Sequence, residues 1–321
     1  MFLMISGLLT AFVFSSRRNG PRIFPSHDVP RYTSSRCKIC FYSTKDCYNE
    51  QLFPDVQTAD RRLKRAKELV LKLSSSKTWE RLGPVCKFAM MNNTSSRTCV
   101  DIGCDHGLLT LALGNMAYFE KVLGVDISER ALNDGALSNL EEIAPRMDTS
   151  SIEFRVSDGL KGLQQGESDT ICISGMGINA MKSILFEESG GAEVKTANDF
   201  ECHRIIVQPT NSRPRNLMVL YEKLQENDFV LVDENIQYIS SRWYVTSLFE
   251  HNSDNTSRKI LHPCEKQLMN ARDTEDIFNT IEYIKFHKRW IEEESEIKPN
   301  LHVKDQVWRN MTEKYSIKFG Y

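Results

Sequence analysis

Long apolar runs are scarce in this chain, basic charge is not in excess, and the glycine pattern that marks a dinucleotide site is missing. Lysine and arginine number 41 against 43 aspartates and glutamates, a formal net charge of -2. No global basic field therefore advertises nucleic acid, although a local basic face remains open. The most apolar segment, "MFLMISGLLTAFVF" at the N-terminus, is too short to span a bilayer comfortably. Stable membrane association is not expected. Nine cysteines, odd in number and scattered, argue against a disulfide framework and for a reducing compartment. Cys37 and Cys40 form one C-x-x-C with Cys47 nearby, but no second pair follows to complete a zinc knuckle. No metal-ligand cluster, Ser-His-Asp ordering or internal repeat is evident.

What is present is an ordinary globular composition, 40% hydrophobic and 26% charged over 321 residues. That length suits one large domain and a small one. Behind the apolar N-terminus lies "SSRRNGPRIFPSHDVPRYTSSRCK", rich in Arg, Ser and Pro, with Asp28 its only acid. An apolar stretch followed by a basic, acid-poor one reads as a bipartite targeting leader over residues 1–50. A plastid address ranks ahead of a mitochondrial one; without a leader the protein would be cytoplasmic.

Residues 51–255 are expected to form the main domain and 256–321 a helical hairpin. "DRRLKRAKELVLKL" sets Leu63, Ala66, Leu69, Val70 and Leu73 at helical spacing, with Arg61, Arg62, Lys64, Arg65 and Lys67 opposite. That basic face could touch phosphates or simply be solvated. From Thr98 onward short apolar runs ending in turns alternate with helical stretches: "TCVDIG", "KVLGVDIS", "SIEFRVSDG", "DTICISGMG" and "HRIIVQP". "SERALNDGALSNLEEI" is expected to be a helix, with Ser128 suited to its N-cap. Further helices are expected at about 178–186 and 215–226. The alternation predicts an α/β, doubly wound, Rossmann-like parallel sheet. "FVLVDENIQYISSRWYVTSLFE" then adds a terminal antiparallel hairpin. Toward the C-terminus, Ile277, Ile281, Ile284 and Ile291 make a stripe with Phe278 and Trp290 beside it. Pro299 interrupts, and Val307, Trp308 and Met311 mark a second helix.

In such a sheet the ligand sits beyond the carboxyl ends of the strands. The residues there are Asp101 to Gly107, Asp126, Asp158 with Gly159, Ser174 to Gly177, and Gln208 to Asn211. A pyrophosphate needs G-x-G-x-x-G. Here Gly103 is followed by Asp105, an anion that would repel phosphate, and then Gly107. A cationic cofactor without phosphate, S-adenosyl-L-methionine, suits the acids better. Asp101 and Asp105 can meet its ammonium end, Asp126 the ribose hydroxyls, and Asp158 the adenine amino group. Each acid alone could be a turn-former; three in order on successive strands are harder to dismiss. His106 could cap the helix or pack under the turn. The fourth strand ends in "ISGMG" rather than the Asn-Pro-Pro-aromatic element of exocyclic-amine methyltransferases.

"DIGCDHGLLTLAL", "DGL", "ISGMG" and "IIVQP", in this order and with a helical tail, resemble the bacterial tRNA (adenine-22-N1)-methyltransferases. Those enzymes read D-I-G-S-D-H-A, A-G-M-G-G and L-Q-P-N at these places. The resemblance runs from Arg61 to the C-terminus. It implies a class I methyltransferase fold, S-adenosyl-L-methionine, tRNA as substrate, and a helical hairpin that helps grip RNA. Asp101, Gly103, Asp105, His106, Asp158, Gly159, Gly175, Met176 and Gly177 carry over to the cofactor site, and Gln208 and Pro209 to the substrate side. Ile178 replaces a second glycine, Asp126 replaces glutamate, and Thr210 stands between Pro209 and Asn211. Asp105 is the candidate for stabilising developing charge, with Ser174 and Asn211 for orienting the base. Rival expectations are methylation of another RNA base, a non-catalytic RNA-binding module, and a nicotinamide oxidoreductase, the last disfavoured by Asp105.

Overall fold

The computed structural model describes residues 56–91, 98–186, 197, 202–252, 263–270 and 274–297. The leader, the Cys37, Cys40 and Cys47 group and the second arm of the C-terminal hairpin lie outside the described residues, as do the side chains of 289–297.

Two helices, α1 (Val56–Leu73) and α2 (Ser76–Met90), precede the sheet. The strands are β1 (Thr98–Ile102), β2 (Lys121–Asp126), β3 (Ile152–Val156), β4 (Thr170–Ser174), β5 (Arg204–Gln208), β6 (Phe229–Ile239) and β7 (Arg242–His251). They form one seven-stranded sheet in the order β3-β2-β1-β4-β5-β7-β6. The first five are parallel, and β7 enters antiparallel between β5 and β6. The doubly wound sheet with a terminal antiparallel hairpin is thus as the sequence pattern predicts. β1, β4 and β5 are buried almost throughout because helices cover both faces, which is why they read as unbroken apolar runs.

Between the strands lie α3 (Leu108–Asn115), α4 (Glu129–Ile143), α5 (Ile178–Phe186) and α6 (Pro214–Glu226), followed by α7 (Glu265–Asn270) and α8 (Thr274–Ile297). One core holds α1, α2 and α3 against the sheet, through Ala66, Val70, Val85, Phe88, Leu111 and Leu113. A second holds α5 and α6, with Tyr283 and Ile284 of α8 and Cys264 ahead of α7, and a small third joins Cys104 to Leu132 and Ala136 of α4.

Three elements add to expectation or differ from it. α2 is an element for which the sequence pattern sets no expectation; Gly83 and Pro84 lie inside it, and burial of Leu82, Pro84, Val85, Cys86 and Phe88 outweighs the missing N–H of Pro84. Ser75 caps α2, accepting from the Thr78 N–H at 3.2 Å. α4 is helical throughout, as expected, but not uniformly α: a π-helical stretch, Leu132–Leu137, sits between α-helical ends. α8 buries Thr280, Tyr283, Ile284 and His287 and leaves Phe278 exposed, so the inward face is turned from the isoleucine stripe. On α1, Arg62 belongs to the structural side. Its guanidinium bonds the Met116 and Ala117 carbonyls at the end of α3 and lies 5.4 Å from the Tyr118 ring centroid.

Candidate active site

The parallel strands deliver their carboxyl ends to one edge of the sheet. β1 ends in a turn whose backbone makes two left-handed steps on glycine, Gly103 (φ 73°) and Gly107 (φ 71°), and one on Asp105 (φ 49°). Aspartate is among the few side chains that tolerate this region. The turn is pinned to β2: the Gly103 and Cys104 N–H groups donate to the Val125 carbonyl, at 2.7 and 3.1 Å. Gly107 then starts α3.

Asp101 is 2% exposed and accepts from Thr110 Oγ1 at 2.7 Å. Burial pushes its carboxyl up to about 6; the Thr110 hydrogen bonds oppose the rise, Asp126 adds to it and Arg81 lowers it. Asp126 has the more structured role. Its Oδ2 accepts the Asp105 N–H at 2.9 Å and its Oδ1 the Ser128 N–H at 2.8 Å. This one carboxylate therefore fixes the β1 turn relative to the start of α4, and each oxygen keeps a lone pair for a further donor. Ser128 caps α4 through the Ala131 N–H at 3.1 Å.

The side chain of Asp105 is largely exposed, with His106 Nδ1 3.8 Å from its Oδ1. The His106 carbonyl accepts from Asn139 Nδ2 at 2.9 Å. A Cβ added at Gly135 would lie 2.2 Å from His106 Nδ1, so the glycine in the π-helical stretch makes room for this ring. His106 thus packs on α4 and makes no helix cap. Asp158 pairs with Lys161 beyond β3, just before Gly159 (φ 58°).

The second half of the site is the β4 turn. A Cβ on Gly103 would lie 2.0 Å from Met176 Cε, which brings the β1 and β4 turns together. Ser174 Oγ donates to Gln208 Oε1 at 3.0 Å, and Gly175 (φ 82°) donates its N–H to the Gln208 carbonyl at 2.9 Å. Nothing lies within 4 Å of a Cβ built on Gly177, so this turn borders open space. Ile178, which stands where the family it resembles has a second glycine, is buried at the start of α5. The Thr210 N–H bonds the Met176 carbonyl at 2.9 Å, joining the β4 turn to the loop after Pro209. There Asn211 Oδ1 accepts the Arg213 N–H at 3.2 Å.

Gln208, expected to face the substrate, is turned inward. It is 1% exposed, and its Nε2 donates to the Arg81 carbonyl at 2.8 Å and to Thr246 Oγ1 at 2.7 Å. Its amide is consumed by the protein, so it can act on a ligand only through Ser174. Two residues at this edge escaped the sequence. Arg81 of α2 sets its Nη1 3.5 Å from where a Gly175 Cβ would be, a cation beside the acids. Ile127, directly after Asp126, is 69% exposed, an apolar surface at the strand end suited to the face of a purine. The signal for Ile127 was an apolar residue following a strand-end acid; Arg81 was hidden with its helix.

A family model described as "Methyltransferase domain" matches residues 80–246, just over half of the chain. No curated protein sequence matches. Among solved structures, Streptococcus pneumoniae Sp1610, a putative tRNA (m1A22) methyltransferase in complex with S-adenosyl-L-methionine, is 21% identical with a TM-score of 0.54, covering 73% of this chain and 98% of that one. The Bacillus subtilis m1A22 tRNA methyltransferase TrmK is 20% identical with a TM-score of 0.50, covering 73% and 94%. At these identities the likeness is one of fold. The strand order, the glycine turn after β1 and the family match agree, and the chain belongs to the methyltransferase-domain family.

Proposed function

We propose that this protein transfers a methyl group from S-adenosyl-L-methionine to N1 of an adenine in tRNA, of the D-arm adenine-22 type. The observation that carries the cofactor is the set of three acids, Asp101, Asp126 and Asp158, at the ends of β1, β2 and β3, in a site with a glycine turn. The donor set fits the group. Asp126 has an open lone pair on each oxygen for a pair of ribose hydroxyls, Ile127 offers a purine an apolar face, and Asp101 suits an ammonium. Arg81 suits the carboxylate at the same end. The likeness to Sp1610 and TrmK, and the motifs shared with that family, support tRNA as the substrate.

When bound, the cofactor supplies a methyl carbon activated by a sulfonium. Adenine N1 carries a lone pair, so the protein need provide no nucleophile; its task is to orient. N1 lies on the Watson–Crick edge, which requires an unpaired or flipped base. The bare backbone of Gly175 and Gly177 allows a flat base to approach, with Ser174 and Asn211 at hand to orient it. Asp105, exposed in the β1 turn, opposes the positive charge that appears on the methylated ring.

The test is transfer of isotopically labelled methyl from the cofactor to a pool of unmodified tRNA transcripts. Label should enter RNA with the wild type and fall sharply with Asp126→Ala. Tighter binding of NAD than of S-adenosyl-L-methionine would reject the proposal in favour of an oxidoreductase.

A further inference from the structure

We propose that Tyr238, Trp243 and Phe286 form a stacking platform for an unpaired nucleobase of the RNA, beside the base that is methylated. The proposal rests on the reading of the protein as an RNA methyltransferase and adds a second contact site for its substrate.

The register places this platform. Val207 of β5 pairs with Ser247 of β7, which sets Thr246 beside Gln208, the last residue of β5, so Arg242 to Val245 run on past its carboxyl end. Four residues at roughly 3.3 Å each extend the β6–β7 hairpin about 13 Å beyond the strand end. It stands as a wall on the same edge as Ser174, Gly175 and Asn211. The wall is tied to the loop after Pro209: Ser212 Oγ donates to the Trp243 carbonyl at 2.7 Å.

On this wall Tyr238 and Trp243 are direct cross-strand partners, so their rings share one face, with centroids 4.9 Å apart and planes tilted 50°. Phe286 of α8 continues the row, 6.4 Å from Trp243. Tyr283 and His287 fill in behind it and are buried. The outer members are open: Tyr238 is 45% exposed and Phe286 40%. Trp243 between them is half-buried and seated on the core, which anchors the row; open aromatic rings leading from a site are what sequence-tolerant base stacking uses.

Charge selects the occupant. No acid occurs between Asn235 and Phe249 or between Pro209 and Tyr221, whereas Arg213, Arg215 and Arg242 lie in those stretches. Lys285 and Lys288 are exposed on α8, with Glu282 paired to Lys285 at 3.0 Å. Aromatic faces flanked by cations, next to a site for a purine, fit a polyanion with π surfaces rather than an acidic or apolar peptide.

The experiment measures binding of an unmodified tRNA transcript and steady-state methyl transfer for Tyr238→Ala, Phe286→Ala and Tyr238→Phe. For each alanine variant, RNA affinity should fall about tenfold, the loss of one stacked base. The KM for RNA should rise more than kcat falls, while cofactor affinity and melting temperature stay near wild type. Tyr238→Phe keeps the ring and should restore binding. Unchanged RNA affinity in both alanine variants, with methyl transfer intact, overturns the platform alone and assigns the patch to another partner, such as a protein. A phenylalanine variant as weak as alanine also overturns it, since the hydroxyl rather than stacking would then be at work. A wild type that binds no RNA overturns the methyltransferase reading and the platform together.

Discussion

Asp126, Asp101 and Asp105 are three acids at the ends of neighbouring strands with three different physical situations. Asp126 holds two backbone N–H groups and can take ligand hydroxyls as well. Asp126→Ala should weaken S-adenosyl-L-methionine by about 1.5–3 kcal/mol, the loss of charge-assisted hydrogen bonds; calorimetry reads this directly, and unchanged affinity would remove Asp126 from the site. Asp101 is held near 6 by burial. A raised carboxylate pKa means that the folded state keeps the proton more tightly, so stability is full below about pH 4 and declines as pH rises through about 6. Ammonium binding runs the other way, since it needs the ionised form. Cofactor affinity should therefore drop as pH falls below about 6, and Asp101→Asn should flatten that profile while raising the melting temperature at about pH 8. An asparagine variant with the wild-type pH profile would show that another group titrates. For Asp105, φ of 49° means that asparagine preserves the backbone. Asp105→Asn should slow turnover by about tenfold to a thousandfold with little change in cofactor affinity, if its charge acts on the transition state. Silence in both measurements would leave the acid there for turn geometry.

At the scale of elements, the strand ends that border the candidate site were legible because they announce themselves. Apolar runs that stop at Asp101, Asp126, Asp158, Ser174 and Gln208 mark the edge of the sheet that carries the candidate site, and α5 falls at the expected residues. What was hidden depends on tertiary contact. α2 is helical in spite of Gly83 and Pro84, so Arg81 could not be placed. The π-helical stretch of α4 exists with Gly135 against His106, a contact between residues far apart in sequence. The direction of Gln208 is set by Arg81 and Thr246, on two other elements. The segment that holds α7 and α8 is more than an appended tail: Tyr283 OH of α8 donates to the Ser212 carbonyl, while Glu234 accepts the N–H groups of Cys264, ahead of α7, and Lys266 of α7 at 3.2 and 3.1 Å. Removing everything after Glu250 would strip Cys264, Tyr283 and Ile284 from the core. Such a truncation should fail to fold cooperatively rather than merely lose RNA. Tyr283→Phe is the milder probe. It should cost about 0.5–1.5 kcal/mol of stability for one hydrogen bond. It should also lower kcat by loosening the Ser212 loop; a variant with unchanged turnover would make that bond purely structural.

For the whole molecule, the composition is nearly neutral, yet the edge that carries the site combines a cluster of acids with arginine-bearing, acid-free segments beside it. The acids suit a cationic cofactor and the arginines a polyanionic substrate, so one edge can hold both. RNA affinity should accordingly fall steeply with added salt as counterions are displaced, while cofactor affinity changes little. The fold was readable from periodicity, and the chemistry of the cofactor from charge. The identity of the target base rests on the resemblance and on an adenine N1 that needs positioning but no enzyme nucleophile. The most direct measurement is mass spectrometry of nucleosides from unmodified tRNA transcripts incubated with the protein and S-adenosyl-L-methionine, followed by mapping of the modified position. The account predicts 1-methyladenosine at a single D-arm position, lost with Asp126→Ala. A methylated nucleoside of any other base, or no methylated nucleoside from a protein that binds both cofactor and tRNA, would contradict it.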